Sequence, residues 1–186
     1  MEKTILYFEK MGKTNTDATL KIARARAEQL GIRQIVVAST HGYTAKRAKK
    51  AFDGLEVEII AVSISAGFED EGWTMSDTER QALLKLGIKV LTSGHTLGDD
   101  VNTALGVTAP NAIVRETLYT FCQGMKVAVE VALMAADAGL LDMTQEVIAI
   151  AGTGSGADTA LVLYPAYSRK FQKLQIREIL AKPRVP

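Results

Sequence analysis

Residues Arg33 to Thr44 read RQIVVASTHGYT, and this abrupt change of character constrains the fold more than any other feature of the chain. Ile35, Val36, Val37 and Ala38 form an apolar, mostly β-branched run with the composition of a strand buried on both faces. The run stops at Ser39, Thr40, His41 and Gly42 and gives way to a basic segment, Tyr43 to Phe52, with helical spacing. A buried strand, a small polar turn and a helix start make an anion cradle: hydroxyls, backbone N–H groups and the positive end of the helix dipole converge on one spot. Lys46, Arg47, Lys49 and Lys50 on the helix read as a solvated face. A sharper reading has Lys46 or Arg47, in the first turn, reaching the anion.

The rest of the chain reads as layers around that strand. Thr4 to Phe8 reads as a short buried strand. Asn15 and Thr16 read as caps for a helix whose apolar positions Leu20, Ala23, Ala27 and Leu30 end at Gly31. Gly12-Lys13-Thr14 is not a P-loop, because the first glycine of that motif would fall on Tyr7. Val57 to Ser63 reads as a second buried strand. Ser76 and Glu79 form a capping box for a third helix, and Ile88 to Leu91 as a third strand runs into Thr92, Ser93, Gly94 and His95. Asn111 to Leu140 has a long apolar helical pattern with Gly124 inside, a core helix with a break and a candidate oligomer contact.

A fourth buried strand, Glu146 to Ala151, leads into Gly152, Thr153, Gly154, Ser155, Gly156 and Ala157. Another apolar run, Thr159 to Tyr164, follows, so this is no dinucleotide fingerprint, which would open a helix. A tight turn between strands accounts for glycine here. Three glycines interleaved with hydroxyl residues go further and predict a nest of bare backbone N–H groups suited to phosphate. Leu174 to Ala181 is expected as an edge strand.

Strands and helices alternate at intervals of about 25 to 30 residues, the rhythm of parallel crossovers. With 186 residues, 47% of them hydrophobic, the expectation is one α/β domain spanning residues 1–186. If the central strand lies beside the fourth, the sheet reverses direction between them and opens a crevice walled by the Ser39 and Gly152 loops. A formal net charge of +1 argues for neither a nucleic-acid nor a membrane partner. No stretch reaches the roughly 18 apolar residues of a membrane span, and a lone cysteine, Cys122, fits a cytoplasmic chain with a buried, inert thiol. His41 and His95, in separate loops, read as turn residues that bond backbone or phosphate ahead of acid–base groups, and they make only a weak metal site.

QIVVASTHGYTAKRA followed by VEIIAVS resembles the C-terminal domain of pyruvate kinase, where a strand ends in a phosphate loop ahead of a helix and a second strand. With YFEKMGKTNTDAT and AGTGSGADTALVLYPA, nearly the whole chain is similar to a stand-alone family of small proteins with that fold, known as flavin mononucleotide (FMN) binders of unassigned activity. The resemblance implies a three-layer α/β/α sandwich with a mostly parallel sheet, main strands in the order 3-2-1-4-5 and the last antiparallel. It also implies a ligand phosphate at Ser39, Thr40, His41, Gly42 and Thr44. The catalytic reaction of pyruvate kinase is not expected, since this sequence carries no counterpart of the barrel.

The function so expected is FMN binding, as an oxidoreductase of unassigned substrate. The Gly152 to Ala157 loop and Thr92 to His95 would line the remainder of the site, and Tyr43, Phe68 or Trp73 would wall the flavin ring. The alternative is a non-catalytic sensor of a phosphorylated sugar or nucleotide. Either way the partner is a small phosphorylated ligand.

Overall fold

A computed structural model of the chain describes residues 2–98 and 100–185. In chain order its elements are β1 (Leu6–Phe8), α1 (Thr16–Leu30), β2 (Gln34–Ala38), α2 (Tyr43–Ala51), β3 (Glu58–Ser63), α3 (Asp77–Lys85) and β4 (Lys89–Thr92). They continue with α4 (Asp100–Leu105), α5 (Pro110–Tyr119), α6 (Gln123–Asp137), β5 (Val147–Ala151), β6 (Thr159–Tyr164) and β7 (Gln175–Pro183). Among the described residues the strands form one seven-stranded sheet in the order β1-β7-β6-β5-β2-β3-β4. The strands β5, β2, β3 and β4 are parallel. Strand β6 runs against both its neighbours, and β1 pairs with β7 in parallel. The stretch from β4 to β6 has the order and the reversed last member implied by the sequence; β7 and β1 extend it by two strands.

Side chains alternate across the central strand, and each set has its own core. Ile35 and Val37 face Leu20, Ala23 and Ala27 of α1, Ala45 and Ala48 of α2, and Leu83 of α3. Val36 faces the other layer, where α6 packs Met125, Ala128, Val129, Ala132 and Leu133 against the sheet. This is the expected sandwich.

Two local expectations change, at the sheet edge and at the start of α1, while the expected break in the long helical pattern is met and one short helix is added. Strand β7 is interior, and the edge is β1, which is not buried: Tyr7 is 52% exposed. A strand this short, flanked by Glu2, Lys3, Glu9 and Lys10, suits an edge. The long helical pattern splits into α5 and α6 at Thr120–Cys122, just ahead of Gly124. Cys122 is buried there and accepts the Met125 N–H on Sγ at 3.3 Å, in the role of an N-cap. A short helix, α4, occupies a stretch without a strong pattern. Finally, neither Asn15 nor Thr16 caps α1 with its side chain. The Thr16 hydroxyl donates to the Lys13 carbonyl at 2.7 Å and accepts from the Ala157 N–H at 3.1 Å, tying the helix start to the glycine loop.

The chain leaves β2 toward β3 and leaves β5 toward β6, on opposite sides of the adjacent pair, so a crevice opens at the carboxyl ends of these strands. Helix α6 reaches this crevice because it lies close on β6. A Cβ at Gly124 would sit 2.1 Å from Thr159 Oγ1 and 2.9 Å from Asp158 Oδ1. Gly124→Ala is therefore expected to destabilise the fold by about 1–3 kcal/mol, seen as a lower midpoint of urea unfolding. An unchanged midpoint would mean that α6 does not depend on this close approach.

Candidate functional site

Where β2 ends, the backbone still belongs to the sheet: the Ser39 N–H donates to the Val62 carbonyl at 2.9 Å. The Ser39 hydroxyl spans the turn and accepts the Ala45 N–H at 3.2 Å. Gly42, at φ 81°, takes the left-handed conformation that lets so short a turn enter α2, and the Lys46 N–H closes the first helical turn on the Gly42 carbonyl at 3.0 Å. Among the described residues, the backbone N–H groups of Thr40, His41, Gly42, Tyr43 and Thr44 find no acceptor. Thr44 is only 3% exposed, and its hydroxyl also has no hydrogen-bond partner among them. Such a row of free donors at a helix start has the chemistry that suits an anion.

The glycine loop differs from its expectation. Its N–H groups are largely taken within the chain: Thr153 donates to Asp158 Oδ2 at 3.1 Å, Gly154 to Gln123 Oε1 at 3.2 Å, Ser155 to the Thr153 carbonyl at 2.7 Å and Ala157 to Thr16 Oγ1 at 3.1 Å. The fully buried Asp158 carboxyl also accepts the Gly12 N–H at 2.8 Å and the Thr159 hydroxyl at 2.9 Å. The nest is thus filled by an acidic side chain of its own loop, and the prediction of bare N–H groups is corrected. Gly156 is needed for contact: a Cβ there would lie 2.5 Å from Thr16 Oγ1.

Both loops border one cleft of about 640 Å³ at the carboxyl edge of the sheet. Of the predicted residues, Ser39, Thr40, His41, Tyr43, Thr44, His95, Gly152, Gly154, Ser155 and Gly156 line it. Six do not. Gly42 is buried with the Leu83 side chain 3.2 Å from where a Cβ would stand. Thr92 turns its hydroxyl to Ser63 and Arg80, both at 2.5 Å. Ser93 and Gly94 stay outside the lining, Ala157 belongs to the core, and Thr153 keeps a buried hydroxyl without a partner. Lys46 and Arg47 are exposed; Arg47 pairs with Asp17 and does not reach the cleft.

Lys13, Tyr119, Gln123, Lys126 and Glu130 also line the cleft, and sequence reasoning missed them. For Lys126 and Glu130 there was a signal, opposite charges four residues apart inside an otherwise apolar helical pattern. Lys13 follows the glycine of the rejected P-loop motif; no local pattern shows that Gly12 docks on Asp158.

The aromatic side chains are engaged with protein groups. The Tyr43 ring has Lys13 Nζ 4.3 Å and the Arg47 guanidinium 5.4 Å from its centroid. Phe68 stacks on Trp73 with centroids 6.0 Å apart and lies 5.5 Å from the His95 ring. Trp73 alone of the pair lines the cleft.

The family model for the pyruvate kinase α/β domain matches residues 17–163. The chain belongs to this family. Among solved structures, a Cryptosporidium parvum pyruvate kinase is similar at 15% identity over 73% of this chain and 20% of that one, with a TM-score of 0.36. A C. parvum pyruvate kinase in complex with ADP is similar at 15% identity over 90% of this chain and 24% of that one, with a TM-score of 0.39. The chain thus spans about a quarter or less of the length of these enzymes.

Family membership overturns the flavin reading. The family is that of a domain of a glycolytic kinase, so FMN as cofactor, the flavoprotein assignment and the oxidoreductase function do not stand. Of the three aromatic residues expected to wall a flavin, Tyr43 and Trp73 line the cleft and Phe68 does not. Among the described residues, no helix is long and apolar enough to cross a membrane.

Two outcomes follow from the walls of the cleft. Asp158→Ala strands the donors of Gly12, Thr153 and Thr159 and is expected to cost about 3 kcal/mol, measured by urea unfolding; a loss within error would mean that water replaces the carboxyl. Glu79, behind the lining residue His41, accepts the Ser76 N–H at 2.9 Å and lies 3.3 Å from His41 Nδ1. The Ser76 backbone bond chiefly holds its carboxyl below the usual range against the opposing effect of burial, with the Ser76 hydroxyl and His41 adding to the lowering. A pKa lower in the folded than in the unfolded chain adds stability above the unfolded value and loses it as pH falls through the folded one. Glu79→Gln should therefore flatten the acid limb of the stability–pH curve, and an unchanged limb would count against this bond.

Proposed function

We propose that this chain binds a small phosphorylated ligand, with the phosphate on the first turn of α2. The observation that carries the reading is the row of unpartnered N–H groups from Thr40 to Thr44, beside the hydroxyl of Thr44, which lines the same cleft and has no partner among the described residues. Lys13, on the same cleft, adds a positive charge next to Tyr43, the first residue of α2. The site's place, at the carboxyl ends of adjacent strands whose connections diverge, is where open α/β sheets hold their ligands. At about 640 Å³ the cleft is the size of a small-molecule site and holds more than a phosphate ion.

Trp73, the one tryptophan of the chain, lines this cleft and reports on it directly. Titration with inorganic phosphate and with sugar phosphates is expected to change its fluorescence saturably and to raise the melting temperature. Thr44→Val, which removes one donor and keeps the shape, should weaken binding by roughly 5- to 10-fold. Absence of both a saturable signal and thermal stabilisation across these ligands would sink the reading.

A further inference from the structure

A second cavity lies on the α1 face of the sheet and shares no lining residue with the cleft. It opens where β1 stops short. Pairing with β7 runs only from Leu6 against Ala181 to Phe8 against Pro183, and the preceding Lys3, Thr4 and Ile5 are not paired. Between those residues, α1 and residues 177–180 of β7 a groove of about 390 Å³ is left. It sits toward the amino edge of the sheet, since Glu178 is level with Val162, Ile148 and Ile35. Helix α1 turns one face to it, with Ile22, Ala25, Arg26 and Gln29 at helical spacing. Ala25 is exposed, and so small a side chain leaves the floor uncovered.

The floor is apolar, with Ile5, Ile22 and Leu180, and the mouth is polar. Arg26, its side chain only 11% exposed, grips Glu178 with two bonds, Nε to Oε2 at 2.7 Å and Nη2 to Oε1. The Arg26 hydrogen bonds chiefly hold the Glu178 carboxyl below the usual range against the opposing effect of burial, with the charges of Arg26 and Lys3 adding to the lowering. The carboxylate therefore stays ionised and pins the guanidinium. A third bond runs from Arg26 Nη1 to Gln29 Oε1 at 3.0 Å, which leaves two of the five guanidinium donors without an acceptor among the described residues. The Gln29 amide N–H groups have none there either, and Lys3 makes no hydrogen bond or ion pair among them. Arg177 is neutralised from outside the lining, by Glu146 at 2.6 Å. Lys3 and Arg26 against Glu178 leave one positive charge in excess, together with a surplus of N–H donors.

We propose that this groove is a second ligand site, for a small monocarboxylic acid with an apolar body. Its carboxylate takes the unused donors of Lys3, Gln29 and Arg26, and its body lies over Ala25 against Ile5, Ile22 and Leu180. One carboxylate matches one excess positive charge. The apolar floor offers a strongly hydrated phosphate nothing in return for its lost water. The volume is at the small end for ligand sites, which limits the body to about six carbons.

Hexanoate, hexanol and inorganic phosphate, titrated against the full chain and followed by the backbone amide resonances of Ile22, Ala25 and Arg26, test this. Hexanoate is expected to shift these resonances saturably, in the roughly millimolar range of so small a ligand. It should bind at least about tenfold tighter than hexanol, and phosphate should leave the resonances in place. Lys3→Gln is expected to weaken hexanoate by about two- to fivefold and to leave hexanol as it was. Ala25→Leu, at an exposed helical position, fills the floor and should abolish the hexanoate shifts while the urea midpoint holds. The inference is overturned by the absence of a saturable shift, by hexanol or phosphate acting as strongly as hexanoate, or by hexanoate binding that either variant leaves undiminished. Since the groove and the cleft have no residue in common, none of these results bears on the phosphate site at α2.

Discussion

The Asp158 carboxyl holds together segments that are far apart in the chain, and the shape of the cleft depends on it. It takes hydrogen bonds from Gly12, from Thr153 and from the Thr159 hydroxyl, with no exposure to solvent. Three donors are what a buried carboxyl requires. Gly12 comes from before α1, Thr153 from the turn after β5 and Thr159 from the start of β6. Their convergence presses the N-terminal loop against the glycine loop and puts Lys13 on the cleft wall. The contact leaves no space for a side chain at position 156, which accounts for Gly156.

This arrangement separates two structures that look alike in sequence. Ser39 to Thr44 and Gly152 to Ala157 are both short, polar and glycine-containing, and both follow a buried parallel strand. The first enters a helix, whose opening N–H groups have no intrahelical acceptor, so its donors stay free for a ligand. The second enters an antiparallel strand, and its donors are consumed by the turn itself and by Asp158. What distinguishes them is the element that follows.

Much of the fold was legible because the sheet is built from local signals. Continuous apolar runs at Ile35–Ala38 and Ile59–Val62, a helix ended by Gly31, and the capping box at Ser76 and Glu79 all appear where sequence places them. The edge was misplaced since β1 and β7 are nearest neighbours only through tertiary packing, and neither announces its partner. In the site the same division holds. The Ser39–Thr44 turn could be read because one contiguous segment makes it, whereas Lys13, from a loop before α1, and Lys126 and Glu130, on α6, meet it only when the chain closes over the sheet edge. The aromatic wall misled for a related reason: composition shows that Phe68 and Trp73 are present, not that they stack on one another.

Placement of the α2 start over the end of β2 is itself a packing result. Ala45 and Ala48 are fully buried, and side chains that small let the helix axis lie close on the sheet, while Phe52 at its far end fills the remaining space. Larger residues at 45 or 48 would lift the helix and carry its first turn away from the strand end, with the free N–H groups no longer facing the crevice. The Ser39 hydroxyl fixes the same distance from the other side through its bond to the Ala45 N–H. Anion affinity at such a seat falls steeply with separation, because the helix field is confined to the first turn. The small side chains of α2 therefore fix where its first turn stands without lining the cleft.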